Sequence, residues 1–531
     1  MHSIRRGVVL CLFALLLMPA MAQKGGDQRI YLDRSDELRY DEMRKPGVQI
    51  VKGHVAFRHG GTRLTCDSAY FNQNNNSFEA FGHVYMVQGD TLTLSCERAF
   101  YDGRPDAEMV YARKNVKVVH RKSSELYTDS LNYDRKFNFI YYAEGGHFVD
   151  KKKKVDLVSD WGRYNLDTRE AVVYYDVVLK SPDYEINTDT LYYDARLERA
   201  QIVSRSTIYN VKNDYQIVSS NGYYYMSSDK TELFDHSTIE NKDRLITGDS
   251  LYYDSKLKRS RGYGNVVYTD KKNKNQLTSG HFTYDEKTGE GFATRRPVFT
   301  DFSQKDTLWL HADSMRVKTF HIDTDSMYRE VYCYHHVRAY RVDMQAMCDS
   351  LVICSRDSSI TMLKEPIVWH QRQQLTGDQI VVLMRDSTIK EAHVEGNAFT
   401  IQEIEDKDNQ LKRFQQISSK RSHSFFDEKG NLRMNEAQGN VMVVFHPQDD
   451  KDSTLMGMVY AESDTLRTFL SSRRKMEKIW MPKAEGVMYP MTQIPPGKDR
   501  LPNFAWHEDL RPLKRDDIFI WPEKQKKGLF E

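Results

Sequence analysis

The chain has little of what staples, breaks or charges a structure. Six cysteines in 531 residues are too few for a disulfide scaffold. Fourteen prolines stand against 32 tyrosines and 24 phenylalanines, a balance that favours strands over disorder. Neither sign of charge prevails: 77 Lys and Arg face 75 Asp and Glu, a formal net charge of +2, and no basic aromatic stripe marks a nucleic-acid partner. After residue 22 no apolar run approaches the ~20 residues of a membrane helix, and helical spacing of apolar residues is missing. The 17 histidines are scattered, with His335-His336 the one doublet, and no unique cluster of His, Cys or paired carboxylates stands out. No catalytic residue, metal site or cofactor is therefore expected.

The first 22 residues differ from the rest. Arg5 and Arg6 precede an apolar run from Val8 to Met18, and Ala20-x-Ala22 closes it. This order describes a secretory signal peptide, residues 1–22, cleaved after Ala22. Its ~11 apolar residues are too short to span a bilayer, and no cysteine follows to carry a lipid. Cys11 leaves with it, so five cysteines remain. Cys66 and Cys96 hold equivalent places in LTCDSAYF and LSCERAFYD, and a disulfide between them is geometrically possible if their strands are neighbours.

What is present in quantity is repetition. LTCDSAYF at 64 returns as LSCERAFYD at 94, LYTDSLNYD at 126, LVSDWGRYN at 157, INTDTLYYD at 186, IVSSNGYYY at 217 and ITGDSLYYD at 246, in steps of about thirty residues. A second motif alternates with it: FEAFGHVYMV at 78, VYARKNVKVV at 110, RGYGNVVYT at 261, AHVEGNAFT at 392 and NEAQGNVMVV at 435. Its shape is Ala-x-Gly-x-Val-x-apolar, and Ala80, Gly82, Val84 and Met86 alternate as on one face of a half-buried strand. In the first motif Ile186 and Leu191 are five apart, so a bulge near Thr188–Asp189 is needed to turn both inward. The expected fold is all-β: an elongated array of about fourteen two-strand rungs.

The organisation follows. Residues 23–45 read as a lead-in, 46–300 as regular repeats, and 301–490 as degenerate repeats with charged insertions near 318–330 and 403–416. Residues 491–531 form a Pro-rich charged tail without repeats, carrying Phe504, Trp506 and Trp521, expected to be loosely ordered and able to dock.

The recurring Asp admits three readings. As a catalytic acid or calcium ligand it would converge with different groups at one place, whereas here it recurs rung after rung without a turn Gly. As a bend residue it satisfies neighbouring donors. The triplet Asp-Ser/Thr-apolar also resembles the acceptor of periplasmic O-glycosylation in some Gram-negative bacteria, with Ser68, Ser130, Thr190 and Ser250 as the hydroxyls.

Gly53-His54-Val55, Leu64 to Asp67 and Ala80-Phe81-Gly82-His83-Val84, in that order, resemble the OstA-like family, the lipopolysaccharide-transport proteins similar to LptA and to the periplasmic domain of LptD. The likeness is clear over residues 46–300 and traceable to about 490. It implies a β-jellyroll of V-shaped rungs in the periplasm, or peripheral to the outer membrane. Its hydrophobic groove would shield the acyl chains of lipopolysaccharide without catalysis. The partners implied are lipopolysaccharide, other jellyroll proteins of the same transport system joined through strand edges, and further copies end to end. On this reading Val55, Phe57, Val84, Met86, Val116, Val118, Val266, Tyr268, Val441 and Val443 line the groove. The same side chains could instead fill a closed core, and the alternative function is a non-catalytic structural or adhesive β-repeat rod that binds proteins or surface polysaccharide.

Overall fold

Strand after strand, two stretches of period-two alternation meet at one bend. The computed structural model describes residues 29–522 apart from 44, 386–387, 407–410, 450–453 and 472–475. Strands follow one another in antiparallel order, and helix among the described residues amounts to three short 3₁₀ turns. The signal peptide expected at residues 1–22 and the chain end, residues 523–531, lie outside the described residues.

Strand Ser77–Gln88 shows the pattern. Phe78 and Ala80 point inward before the bend, Val84 and Met86 after it, and none is more than 3% exposed. Gly82 and His83, at φ +73° and +40°, together oppose the single Glu97 of the next strand. Two residues against one make a β-bulge, which kinks the strand. Gly82 therefore sits at the bend and not, as the alternation suggested, on the inner face. Paired left-handed residues recur at Gly53-His54, Lys114-Asn115, Gly264-Asn265, His335-His336 and Gly396-Asn397. In strand Tyr184–Asp194, Ile186 and Leu191 are both fully buried, as expected. The two-against-one irregularity, however, lies on the neighbouring strand Glu170–Lys180, where Tyr175 and Asp176, at φ +62° and +49°, oppose the single Asp189.

Every bent strand thus gives an alanine half and a valine half, named for the motif residues on either side of the bend. Stacked, the halves form two facing walls, an alanine wall and a valine wall, with inner residues between them. The chain divides into two compact units, Met1–Arg196 and Leu197–Glu531. The expected lead-in contains a split rung: Tyr31–Arg34 pairs with the valine half of strand Gln49–His59 and Glu37–Tyr40 with its alanine half. Near the other end, Glu485–Tyr489 and Met476–Trp480 pair in the same divided way with strand Met458–Leu470. The insertion near 403–416 lengthens a hairpin, giving strands Thr388–Asp406 and Leu411–Phe426.

Two expectations are corrected. Cys66 lies on strand Thr62–Asn72 and Cys96 on Leu92–Asp102, with Ser77–Gln88 between them. Two inter-strand steps separate them by roughly 10 Å, beyond the ~7 Å a disulfide spans. Both are buried free thiols, as are Cys333, Cys348 and Cys354.

The tail is not loose. Up to Trp521 it crosses the outer face of the valine wall of the second unit. Gln416 donates to the Asp499 carbonyl (2.9 Å) and accepts from the Leu501 amide (2.8 Å). Gln374 does the same with Ala505 and His507, both at 2.8 Å. Leu501, Phe504 and Trp506 pack on Phe399, Ile401, Phe414 and Val444, and Leu510 and Trp521 on Met347, Ile367 and Trp369. This explains why the later repeats look degenerate. Their outward positions are apolar because the tail covers them, whereas outward Tyr85 and Val158 of the first unit are both 45% exposed.

Candidate functional site

The recurring carboxylates lie along the outside of the bend. Asp67 bonds the His83 ring (2.8 Å), Asp36 the His54 ring (2.7 Å), Asp249 the Asn265 amide (2.8 Å) and Asp313 the His336 ring (2.8 Å). The Asp67 carboxylate raises the pKa of fully exposed His83. Each Asp caps the left-handed pair of an adjoining strand, which is the structural reading of the motif. Among the described residues no group of three or more His, Cys, Asp or Glu is placed to hold a metal ion. Ser68, Ser130, Thr190 and Ser250 are half-buried, each one residue past the bend Asp, and Thr190 donates its hydroxyl proton to Asp189 (3.0 Å).

Between the walls the first unit is closed. Val55, Phe57, Val84, Met86, Val116 and Val118 belong to one buried cluster with exposures of 0–2%. Phe57 from the valine wall stacks on Phe78 from the alanine wall at 4.3 Å and 9°, and Phe78 on Tyr101 at 5.1 Å. Polar side chains then bridge the mouth. His59 Nδ1 lies 2.5 Å from the Tyr101 hydroxyl, and Arg135 donates to that hydroxyl and to Thr62. One rung further, the Tyr133 hydroxyl donates to Gln88 (2.7 Å). A cavity beside Val118, His120, Ile140 and Tyr164 holds about 40 Å³. Ligand pockets start at roughly 300 Å³. All six are buried between the walls, beneath the stacked rings and the bridged mouth.

In the second unit the mouth is bridged as far as Asn210, which donates to the hydroxyls of Tyr215 and Tyr224 (both 3.2 Å) and to Asp229 (3.0 Å). From strand Arg244–Asp254 onward the walls spread. Residues next to the bend stay buried: Leu251, Val266, Met315, Val337, Leu351 and Val441 are at most 5% exposed. Those one step nearer the mouth are only partly buried: Ile246, Tyr253, Tyr268, Leu277, Phe299, Val331, Ile353, Ile360, Val368, Leu375 and Val382, the last eight packed against one buried cluster. This is an apolar trough with a sealed floor and open shoulders. A cavity of about 100 Å³ lies where it begins, among Ile246, Leu251, Tyr253, Tyr268, Phe282 and Tyr284. Arg244, Glu240 and Glu286 stand at its edge, Glu240 paired with Lys271 at 2.5 Å.

Of the ten expected lining residues, Tyr268 is on this shoulder, Val266 and Val441 are on the floor, and Val443, 9% exposed, borders it. The shoulder residues from Leu277 to Val382 were missed because their rungs lack a clear Ala-x-Gly-x-Val. The signal that would have found them is the two-residue offset: Leu277 pairs with Tyr268, and Leu277 with Phe299.

In each unit the bent strands make an all-β array. Residues 27–189 match the family model of the OstA-like proteins, and over that stretch the chain is similar to them. No curated protein matches the chain. Among solved structures it is similar to LptH from Pseudomonas aeruginosa, the LptA-homologous periplasmic component of a lipopolysaccharide transport device. The identity is 13%, over 23% of this chain and 82% of that one, with a TM-score of 0.19.

Proposed function

We propose that this chain is a periplasmic, non-catalytic carrier that shields the acyl chains of lipopolysaccharide in the trough of its second unit. The observation that carries this reading is the row of only partly buried apolar shoulders from Ile246 to Val382 above a buried floor. Apolar surface open to water is costly, at roughly 25 cal/mol per Å², and an acyl chain laid along it removes that cost. The sealed first unit then acts as a stiff spacer, and the closed interior there favours the rod reading for that part alone. The divided end rungs, Tyr31–Tyr40 and Met476–Tyr489, leave short strand edges that can accept another jellyroll. The test is purification of the mature chain from its own host followed by lipid extraction. Co-purifying lipopolysaccharide supports the carrier, and a lipid-free chain supports the rod.

A further inference from the structure

The tail binds its own chain in an unusual manner. Among the described residues it adds no strand to the sheet. It is held instead by outward side chains that read its main chain: Gln416 at residues 499 and 501, Gln374 at 505 and 507, and Arg338 at Leu510 (2.8 Å) and Ile520. Gln374 and Gln416 are both 1% exposed and Arg338 is 3% exposed, so this is a built seat. The seat belongs to one wall. Beyond it the tail reaches the bend, where the Trp521 ring lies 4.6 Å from that of His336, at φ +54° in the hinge.

The docking also leaves debts. Beneath the tail, Arg338 Nε, the Trp369 indole N–H and both ring nitrogens of His446 are buried without a hydrogen-bond partner among the described residues. Each such group is costly while it stays dry, and water satisfies it once the tail lifts. Burial of Leu501, Phe504, Trp506 and Leu510 opposes this cost. A segment held by main-chain contacts and apolar insertion over unsatisfied polar groups is poised for release.

We propose that residues 499–521 are a releasable latch. Docked, it ties the strands of the valine wall between residues 337 and 445 into one plate and fixes that plate to the hinge. Released, the plate swings outward and the trough widens. The lipid role of the latch rests on the carrier reading above.

The test compares the full mature chain with Phe504→Ser/Trp506→Ser, which leaves every strand residue intact, and with Gln374→Ala/Gln416→Ala, which removes the clasp. Amide hydrogen exchange is read in the valine wall, residues 367–376, and in the alanine wall, residues 359–363 and 379–385. A photo-crosslinker at Leu375, with purified lipopolysaccharide as probe, reports entry. The latch predicts at least tenfold faster exchange in the valine wall alone in both variants, and several-fold greater capture at Leu375. Equal acceleration in both walls, or unchanged exchange, overturns it. Wall-selective exchange with no capture in any variant supports the latch and contradicts the carrier reading.

Discussion

Gly82 stands at φ +73° directly over the carboxylate of Asp67 on the preceding strand, so that an added Cβ would collide with it. The same relationship holds between Gly53 and Asp36, Gly264 and Asp249, and Gly396 and Asp378. The Gly of Ala-x-Gly-x-Val and the Asp of the preceding Leu-x-x-Asp strand are therefore two halves of one bend, which is why they recur together. Gly82→Ala is expected to cost about 2 kcal/mol or more, since left-handed backbone alone costs roughly 1–2 kcal/mol for a residue with Cβ. Adding Asp67→Ala should return part of that loss. Urea denaturation of the two single variants and the double variant measures the coupling.

Lys114 marks the converse case. It occupies the glycine place at φ +63° and faces Glu97 in place of an aspartate. Lys114→Gly is expected to stabilise the chain by up to about 1 kcal/mol, visible as a higher urea midpoint at unchanged slope.

The thiols supply a third check. Burial pushes Cys66 up to about 12 and Cys96 up to about 11, so neither ionises near neutral pH. Iodoacetamide should leave both unmodified in the folded protein. After denaturation without reductant, the five cysteines after residue 22 should all alkylate, as read by intact mass. Fewer than five would indicate a disulfide.

His120 lies at the mouth of the first unit, with its pKa brought down to about 4 by burial and then by the charges of Arg121 and Arg169. The unfolded chain binds this proton near pH 6.5 and the folded chain only near 4, so the unfolded state gains protons first as pH falls. The contribution is intact at neutral pH, is lost progressively below about 6.5 and levels off below about 4. Between pH 7 and 5 it amounts to about 2 kcal/mol. Replacement by an uncharged residue, His120→Gln, should flatten the pH dependence of exchange protection in strands Met109–His120 and Ser124–Asp134.

The sequence carried the all-β class, the bend at Asp189 (though not which strand bulges there) and the bend role of its aspartate, because a period of two interrupted at a fixed motif has few other solutions. Alternation identified which residues face inward but not how far apart the walls stand. Met86 and Tyr268 occupy equivalent places in the same motif, yet one is sealed and the other only partly buried. The difference comes from partners distant in sequence, such as Phe57 with Phe78 and His59 with Tyr101. The docked tail was hidden for the same reason: Gln374 and Gln416 look like ordinary surface glutamines until the segment they hold is laid across them.

The contrast between sealed core and open trough is the central claim, and site-specific photo-crosslinking in cells tests it most directly. A crosslinker at Tyr268 should capture lipopolysaccharide, whereas one at Met86, the equivalent place in the first unit, should capture none. Equal capture at the two positions, or capture at Met86 alone, would contradict the account.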